Sequence, residues 1–356
     1  MTKNSSNIIK SFLNDFPEIF HSPQKVNAYL QDYSKNIEEI IVKDFVNFGL
    51  KDDFAIYANG GFGRQELYPS SDIDLSIIQK KKNINNSDNL EKFIAKLWDL
   101  GLQVGHSVRT IKDIKKIAKE DPKEFTSYLT RRPLLTNKKT DESINLALSK
   151  IWSKKKFYKV KLSEQEERYK SFFSTEYNLE PNLKESPGTL RDFQTSLWIL
   201  QHCFDLENID GIKKSKEFGN EIEEVINSYN FVKAMRYITN IISNKNRLTF
   251  EIQVEIADKA KLKEGTTKRS VEKLMQKFYE NASNLSNFNN LVFEKFKEQN
   301  QFAITKNYGE FFVRGSKIGL KKDANLEKQK ELIFDIFIAI GKSKKINAIE
   351  TSSMSL

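Results

Sequence analysis

The chain has 356 residues, of which 38% are hydrophobic, and it carries 58 basic against 48 acidic residues, a formal net charge of +10. This length exceeds the usual size of one hydrophobic core and predicts two domains, while the single cysteine, Cys203, excludes an internal disulfide. The N-terminus lacks a signal-peptide pattern and no run of about 18 apolar residues is present, so we expect a cytoplasmic protein that does not cross a membrane.

The positive charge by itself does not indicate a nucleic-acid partner. Basic and acidic residues are interleaved, as where the lysines of residues 154–156 are soon followed by the glutamates of residues 164–167. A solvated, lysine-rich surface is therefore favoured over a nucleic-acid footprint.

Residues 1–50 are predicted to be a helical segment. Ser22 and Pro23 form a helix start signal, with Ser at the N-cap and Pro at the first position. Apolar residues then recur at helical spacing from Val26 to Ile41, until Gly49. We expect one long amphipathic helix here.

Residues 51–139 are predicted to form an α+β core. The apolar run of residues 54–58 and the segment 73–78 have strand patterns. Between them lies a glycine turn followed by a short helical segment. This order of strand, glycine-rich turn, short helix and acidic strand resembles that of a polymerase-β-type nucleotidyltransferase core.

The strongest chemical signal is the pair Asp72 and Asp74. One residue apart on a strand, the two carboxylates project on the same face and can share Mg²⁺ ions, for which oxygen is the preferred ligand. Such ions can activate an attacking oxygen and stabilise a leaving pyrophosphate. Either the acidic pair or the glycine turn alone is common in surface loops, but their order favours a nucleotidyl-transfer site.

The residues around this pair are candidates for binding a nucleotide. Gly60, Gly61 and Ser71 are predicted to contact a triphosphate or to shape the turn, because glycine lets backbone N–H groups approach phosphates closely. Arg64 is predicted either to bind a phosphate oxygen or to pair with a nearby glutamate, Glu66 or Glu91.

Beyond residue 140 the strand signals almost vanish. Residues 140–300 are predicted to be an all-helical bundle, with one apolar face running from Val271 to Leu285 at helical spacing. Residues 301–356 are predicted to hold a small hairpin around Gly315 and Ser316, followed by a final helix.

Three ordered motifs then resemble the bacterial PII uridylyltransferase/uridylyl-removing enzyme family. They are GGFGRQELYPSSDID at residues 60–74, LWDLGLQVGHSVRT at residues 97–110 and YNLEPNLKESPGTLRD at residues 177–192. Gln65, Thr130 and Thr189 depart from the family pattern. These departures put the fine positioning of groups in the site in question, but they leave the acidic pair intact.

The resemblance implies a reaction and a set of further site residues. It implies transfer of UMP from UTP to a tyrosine of a PII-type signalling protein, with Mg²⁺ as cofactor. It also implies that Lys184, Arg191 and Asp192 close over the nucleotide; the alternative is a structural junction between a loop and a helix. A third carboxylate is not evident, and Asp121 and Asp192 are the candidates. His106 is either a substrate-orienting group or a structural residue.

The same resemblance implies that two kinds of domain are missing, and it leaves rival functions open. The HD hydrolase and ACT sensor domains of the family are expected to be missing, and with them the uridylyl-removing activity. The rivals are an adenylyltransferase acting on a protein or a small molecule, and a non-catalytic remnant that binds PII or a nucleotide.

Overall fold

A computed structural model describes residues 3–81, 86–172, 175–262, 266–300, 306–308, 310–314, 317–321, 329–342, 346 and 348–349. The helices are α1 (Lys3–His21), α2 (Val26–Asn47), α3 (Gly60–Gly63), α4 (Ser87–Asp99), α5 (Ile111–Glu120), α6 (Pro122–Leu129), α7 (Lys138–Leu148), α8 (Lys154–Lys170), α9 (Leu190–Cys203), α10 (Ile209–Lys214), α11 (Ile222–Ser243), α12 (Phe250–Lys259), α13 (Thr267–Asn300) and α14 (Gln329–Lys342). The strands are β1 (Phe54–Ala58), β2 (Ile73–Gln79), β3 (Val104–Arg109), β4 (Arg132–Leu135), β5 (Lys306–Tyr308), β6 (Phe311–Arg314), β7 (Lys317–Leu320) and β8 (Ala348–Ile349).

The predicted helix start at Ser22 is confirmed, with one refinement. Pro23 opens a 3₁₀ turn over Pro23–Lys25 with Ser22 at its N-cap, and α2 begins after this turn. The Ser22 side chain makes no capping hydrogen bond. At the other end α2 stops two residues before Gly49, whose positive φ of 71° ends the helical conformation.

The first sheet is small and mixed, in the order β3-β2-β1-β4. Strand β1 pairs antiparallel with both β2 and β4, whereas β2 and β3 are parallel, in a register that sets Asp74 opposite Gly105. The predicted strands at residues 54–58 and 73–78 are thus confirmed, and the fold is of the mixed α/β kind. Strand β4 was not singled out by the sequence, because its four residues include Pro133 and are not fully buried.

Alternation along β1 divides the core between the two faces of the sheet. Ile56 packs in a cluster with residues of α2 and α4, whereas Ala55 and Tyr57 belong to a larger cluster that continues into the later helices. Both faces of this strand are therefore buried, which explains its unbroken apolar run.

The helices that follow the sheet share that larger cluster. Helix α13 packs against α9, α11 and α12. Its predicted apolar face is confirmed, because Leu274, Phe278, Ala282 and Leu285 are all fully buried. The same cluster also includes α1, where the Phe12 ring lies 4.1 Å from the ring of Tyr237 on α11.

The predicted C-terminal hairpin is confirmed in its strands. Strands β6 and β7 pair antiparallel with Val313 opposite Ile318, and β5 and β8 complete a second four-stranded sheet. The predicted turn residues Gly315 and Ser316 lie outside the described residues. Helix α14 supplies Leu332 and Ile336 to a small separate core.

The docking of α1 on α11 can be tested with Phe12→Ala. This ring is fully buried, so its removal should lower the free energy of unfolding by about 3–5 kcal/mol. Leu146→Ala on α7 is the matched control, because Leu146 is 76% exposed and its loss should cost within about 0.5 kcal/mol. Urea denaturation followed by circular dichroism measures both; equal effects would contradict the described packing of α1.

Candidate active site

A cleft of about 750 Å³ lies where the first sheet meets the later helices. One wall is the glycine turn after β1 together with the start of β2. The other is formed by α6, α8, α9 and the segment that precedes α9. Its lining includes eight of the sequence-predicted nucleotide and metal residues, namely Gly60, Gly61, Arg64, Ser71, Asp72, Asp74, Lys184 and Arg191, but neither Asp121 nor Asp192.

Gly60 makes room for the Asp74 carboxylate. A Cβ atom on Gly60 would lie 2.6 Å from the Asp74 Oδ2 atom, closer than real contacts allow, and Gly60 also has a positive φ of 54°. A Cβ atom on Gly105 would lie 3.4 Å from Oδ1, an ordinary van der Waals distance. The carboxylate therefore occupies space that a side chain at residue 60 would otherwise fill, and Gly105 is a further neighbour of Asp74 that the sequence did not single out.

The environment of Asp74 disfavours its negative charge. The side chain opens to the cleft, but the surrounding protein atoms remove part of its hydration, and this burial raises its pKa above the ordinary value. The neighbouring carboxylate of Asp72 raises the pKa further, while Lys184 and Arg64 act in the opposite direction. A cation bound between the two carboxylates would relieve this repulsion.

The acidic pair fits Mg²⁺ by its chemistry. Asp72 and Asp74 offer only hard oxygen ligands; Asp72 directly precedes β2, Asp74 is the second residue of that strand, and both line the cleft. Within the described ranges, no group of three or more His, Cys, Asp or Glu side chains is arranged to hold a metal. Asp72 and Asp74 are therefore the residues that would hold such an ion.

Gly61 and Ser71 shape the turn that carries this site. The Glu66 N–H donates to the Gly61 carbonyl over 2.7 Å, and a Cβ on Gly61 would lie 3.2 Å from the Glu66 carbonyl. The Ser71 hydroxyl accepts a hydrogen bond from the Tyr68 N–H over 3.2 Å. Both residues thus hold the loop in a compact form while facing the cleft.

Arg64 forms an ion pair with Glu66, which is one of the two roles predicted for it. The Arg64 Nε donates to Glu66 over 3.0 Å, and the same carboxylate accepts from the Tyr229 hydroxyl and lies 3.4 Å from the Lys233 Nζ. Burial alone would raise the pKa of Glu66, but Lys233 and Arg64 hold it below its ordinary value. Arg64 still lines the cleft, so this pairing does not remove it from reach of a phosphate.

Lys184 and Arg191 lie together on the wall opposite the acidic pair. Burial lowers the pKa of Lys184, and the nearby cations Arg191 and Arg236 lower it further, while Asp74 opposes them. Arg191 is held by Glu185, with 2.9 Å between its Nη2 and a carboxylate oxygen. Lys184 is the less restrained of the two cations, since its ammonium lies 4.0 Å from the same glutamate.

Asp192 does not join the acidic pair, and its prediction as a metal ligand is not supported by the structure. It is fully buried, outside the cleft lining, and its carboxylate accepts hydrogen bonds over 2.6 Å from each of Arg168, Tyr169 and the Gly188 N–H. These three donors use the oxygens that a metal would need. Asp192 anchors the start of α9 to α8 instead.

Two other predicted candidates also lie outside the cleft lining. Asp121 is the N-cap of α6, where its side chain accepts a hydrogen bond from the Lys123 N–H over 2.7 Å. His106 follows Gly105 on β3, and its ring centroid lies 5.9 Å from that of Trp98. Neither residue is positioned to complete the acidic pair.

The structure adds cleft residues that no sequence pattern marked. Arg236 of α11 lies 4.0 Å above the ring of Tyr68 and donates to Asn246 over 2.7 Å. Lys161 and Gln165 of α8 also face the cleft, although both are buried. The apolar periodicity of α8 and α11 predicts which helix face packs in the core, but it does not predict which polar residues reach the cleft. The positions of these three residues therefore depend on how the two helices dock.

Comparison with known proteins gives a consistent result. A family model described as GlnD PII-uridylyltransferase matches residues 156–293. A protein of Ectopseudomonas mendocina (strain ymp) named bifunctional uridylyltransferase/uridylyl-removing enzyme is 29% identical over 355 residues, which cover 95% of this chain and 39% of the relative. Proteins of the same name from Vibrio atlanticus (strain LGP32) and Hydrogenovibrio crunogenus are 32% and 30% identical, over 84% and 93% of this chain and 36% and 39% of their own length.

These matches relate the chain to the nucleotidyltransferases, the class that its glycine turn and acidic strand predicted. The more specific resemblance is also confirmed: the chain belongs to the PII uridylyltransferase family over the region that these matches share. It spans 36–39% of the length of the relatives named above. Within the described ranges, every helix is too short or too polar to span a lipid bilayer.

The different roles of Asp192 and Asp74 predict opposite effects of the same substitution. Burial also raises the pKa of Asp192, but Asp192→Asn leaves Arg168 without its buried partner and removes an acceptor from among three donors. It should therefore lower the free energy of unfolding by about 3 kcal/mol. Asp74→Asn should raise the free energy of unfolding at neutral pH. A carboxyl whose pKa is higher in the native than in the unfolded protein makes the fold less stable as pH rises through that range, and the substitution removes this effect.

Urea denaturation at pH 7 in the presence of a chelator measures both variants, and the stabilisation by Asp74→Asn should disappear at a pH below the ordinary carboxyl pKa. Destabilisation by Asp74→Asn, or a neutral effect of Asp192→Asn, would contradict these assignments.

Proposed function

We propose that this chain is an Mg²⁺-dependent nucleotidyltransferase that moves UMP from UTP to a tyrosine hydroxyl of a PII-type signalling protein. The observation that carries the proposal is the Asp74 carboxylate, which Gly60 admits to the cleft beside Asp72 and within electrostatic reach of Lys184. The names of the relatives supply the uridylyl group, and the description of the family model supplies the PII protein. A polymerase-β-type arrangement of the first sheet and a cytoplasmic location belong to the same proposal.

The residues of the chain divide the work of the transfer. Asp72 and Asp74 would hold the metal, and Lys184 and Arg64 would donate hydrogen bonds to phosphate oxygens of UTP. Gly60 and Gly61 let the backbone approach the triphosphate. When bound, Mg²⁺ supplies charge stabilisation for the leaving pyrophosphate and favours ionisation of the attacking hydroxyl.

The chemistry needs no covalent nucleophile from this chain. The tyrosine oxygen of the protein substrate attacks the α-phosphorus of UTP, the bond from that phosphorus to the bridging oxygen breaks, pyrophosphate leaves, and the phenolic proton passes to water. The single cysteine agrees with this division of roles, because Cys203 is buried and lies outside the cleft lining.

The transfer is tested with α-labelled UTP, Mg²⁺ and a purified PII-type protein. Asp72→Asn and Asp74→Asn should each reduce labelling by at least about a hundredfold, since each removes a charged group that stabilises the transition state. Asp99→Asn at the exposed end of α4 is the matched control, because it is the same change outside the cleft.

The outcomes separate the proposal from its rivals. Labelling that persists in Asp74→Asn would refute the assigned site. Transfer from labelled ATP in place of UTP would indicate an adenylyltransferase. No transfer from either nucleotide by folded wild-type protein would favour a non-catalytic protein that binds PII or a nucleotide.

A further inference from the structure

The wall of the cleft formed by α8 and α9 carries polar groups that the transfer step does not use. Lys161 and Gln165 are four residues apart and therefore share one face of α8. The ring of Trp198 on α9 lies beside them, with its centroid 5.0 Å from the Lys161 Nζ. We call Lys161, Gln165 and Trp198 the α8–α9 subsite.

Gln165 is the unexplained member of this subsite. Gln165 is 7% exposed, and its Oε1 atom has no hydrogen-bond partner among the described residues. Buried polar atoms are nearly always paired, because leaving one unpaired costs free energy. A ligand that brings an N–H group to this face of α8 would satisfy it.

Lys161 complements Gln165 as a donor. Its side chain is 2% exposed, and its ammonium donates to Glu164 over 2.9 Å. An ammonium has three donor positions and no acceptor, so the groups it can recognise beyond Glu164 are acceptors such as carbonyl oxygens. The subsite thus offers an acceptor and a donor side by side.

The cations of this wall are poorly placed to bind a triphosphate. Lys161 is neutralised by Glu164, Arg168 by Asp192 and Arg191 by Glu185. Phosphates would have to displace these partners, whereas Lys184 lies 4.0 Å from Glu185 and interacts electrostatically with Asp74. The α8–α9 subsite is therefore better suited to a neutral, hydrogen-bonding ring.

We propose that the α8–α9 subsite binds the uracil ring of the nucleotide, an inference that rests on the proposed function. Uracil presents an N3–H donor between two carbonyl oxygens. Gln165 accepts from N3–H through Oε1, Lys161 donates to a neighbouring carbonyl, and Trp198 provides an apolar wall. Adenine has no carbonyl for Lys161, and cytosine has an acceptor at N3 in place of the donor, so this pair selects uracil over both; guanine, which also presents an N–H beside a carbonyl, is not distinguished by these two hydrogen bonds.

Nucleotide binding tests the subsite without any need for turnover. Isothermal titration with UTP, ATP and inorganic tripolyphosphate in Mg²⁺ should show that Gln165→Leu weakens UTP binding about tenfold or more, the effect of one lost hydrogen bond. Tripolyphosphate, which has no base, should bind Gln165→Leu and wild type equally. Gln31→Leu on the exposed face of α2 is the matched control and should bind UTP as wild type does.

Stability measurements keep the test independent of folding. Gln165→Leu removes an unpaired buried atom, so its urea midpoint should equal or exceed that of wild type. If this variant nevertheless unfolds, Lys161→Met serves in its place, with the same expected loss for UTP and none for tripolyphosphate.

The failure of this inference can be told from failure of the proposed function. UMP transfer by wild type together with wild-type affinity of Gln165→Leu for UTP would overturn the subsite alone. A base-dependent loss of affinity without any transfer would leave the subsite and overturn the transferase. Tighter binding of ATP than of UTP, or an equal loss for tripolyphosphate, would overturn the uracil assignment, and no nucleotide binding by wild type would overturn both.

Discussion

Glu66 is the carboxylate through which the glycine turn is joined to the later helices. Arg64 binds it from the turn, and Tyr229 and Lys233 bind it from α11, all in a largely buried setting. A buried charge is tolerated only where opposite charge and hydrogen-bond donors surround it. Gln194 of α9 donates to the same Tyr229 hydroxyl over 3.3 Å. The cluster thus joins the glycine turn to the wall that carries α9.

The two aspartates that the sequence placed in one site have opposite surroundings. Asp192 is fully enclosed by three donors and holds α9 against α8. Asp74 faces a like charge and two glycines and is left with its charge only partly compensated. Such unrelieved charge is costly for a fold and useful for binding a cation, and it is the physical signature expected of a functional carboxylate.

The cleft also has an uneven distribution of paired and unpaired groups. The cleft-lining cations Lys161, Arg168 and Arg191 are each matched by a nearby carboxylate, whereas the Gln165 Oε1 atom has no partner among the described residues. Cations that a carboxylate already neutralises favour neutral ligands, whereas cations without such a partner favour anions. This contrast gives the cleft a side suited to phosphates and a side suited to a base.

Local sequence determined the elements that depend on short-range rules. The turn after β1, the strand carrying Asp72 and Asp74, the start signal at Ser22 and the apolar face of α13 follow from glycine conformations and from periods of two and 3.6 residues. The motifs also carried the family resemblance.

Only the tertiary structure decided which polar residues reach the cleft. Whether Asp192 faces a metal or Arg168, and whether Lys161 and Gln165 face water or the cleft, depends on how α8, α9 and α11 pack against the sheet. Those contacts join residues far apart in the chain, such as Glu66 and Tyr229, and no local pattern encodes them. The sequence by itself therefore determined the strand that carries Asp74 and the class of protein, and the packing of the helices determined the remainder of the cleft.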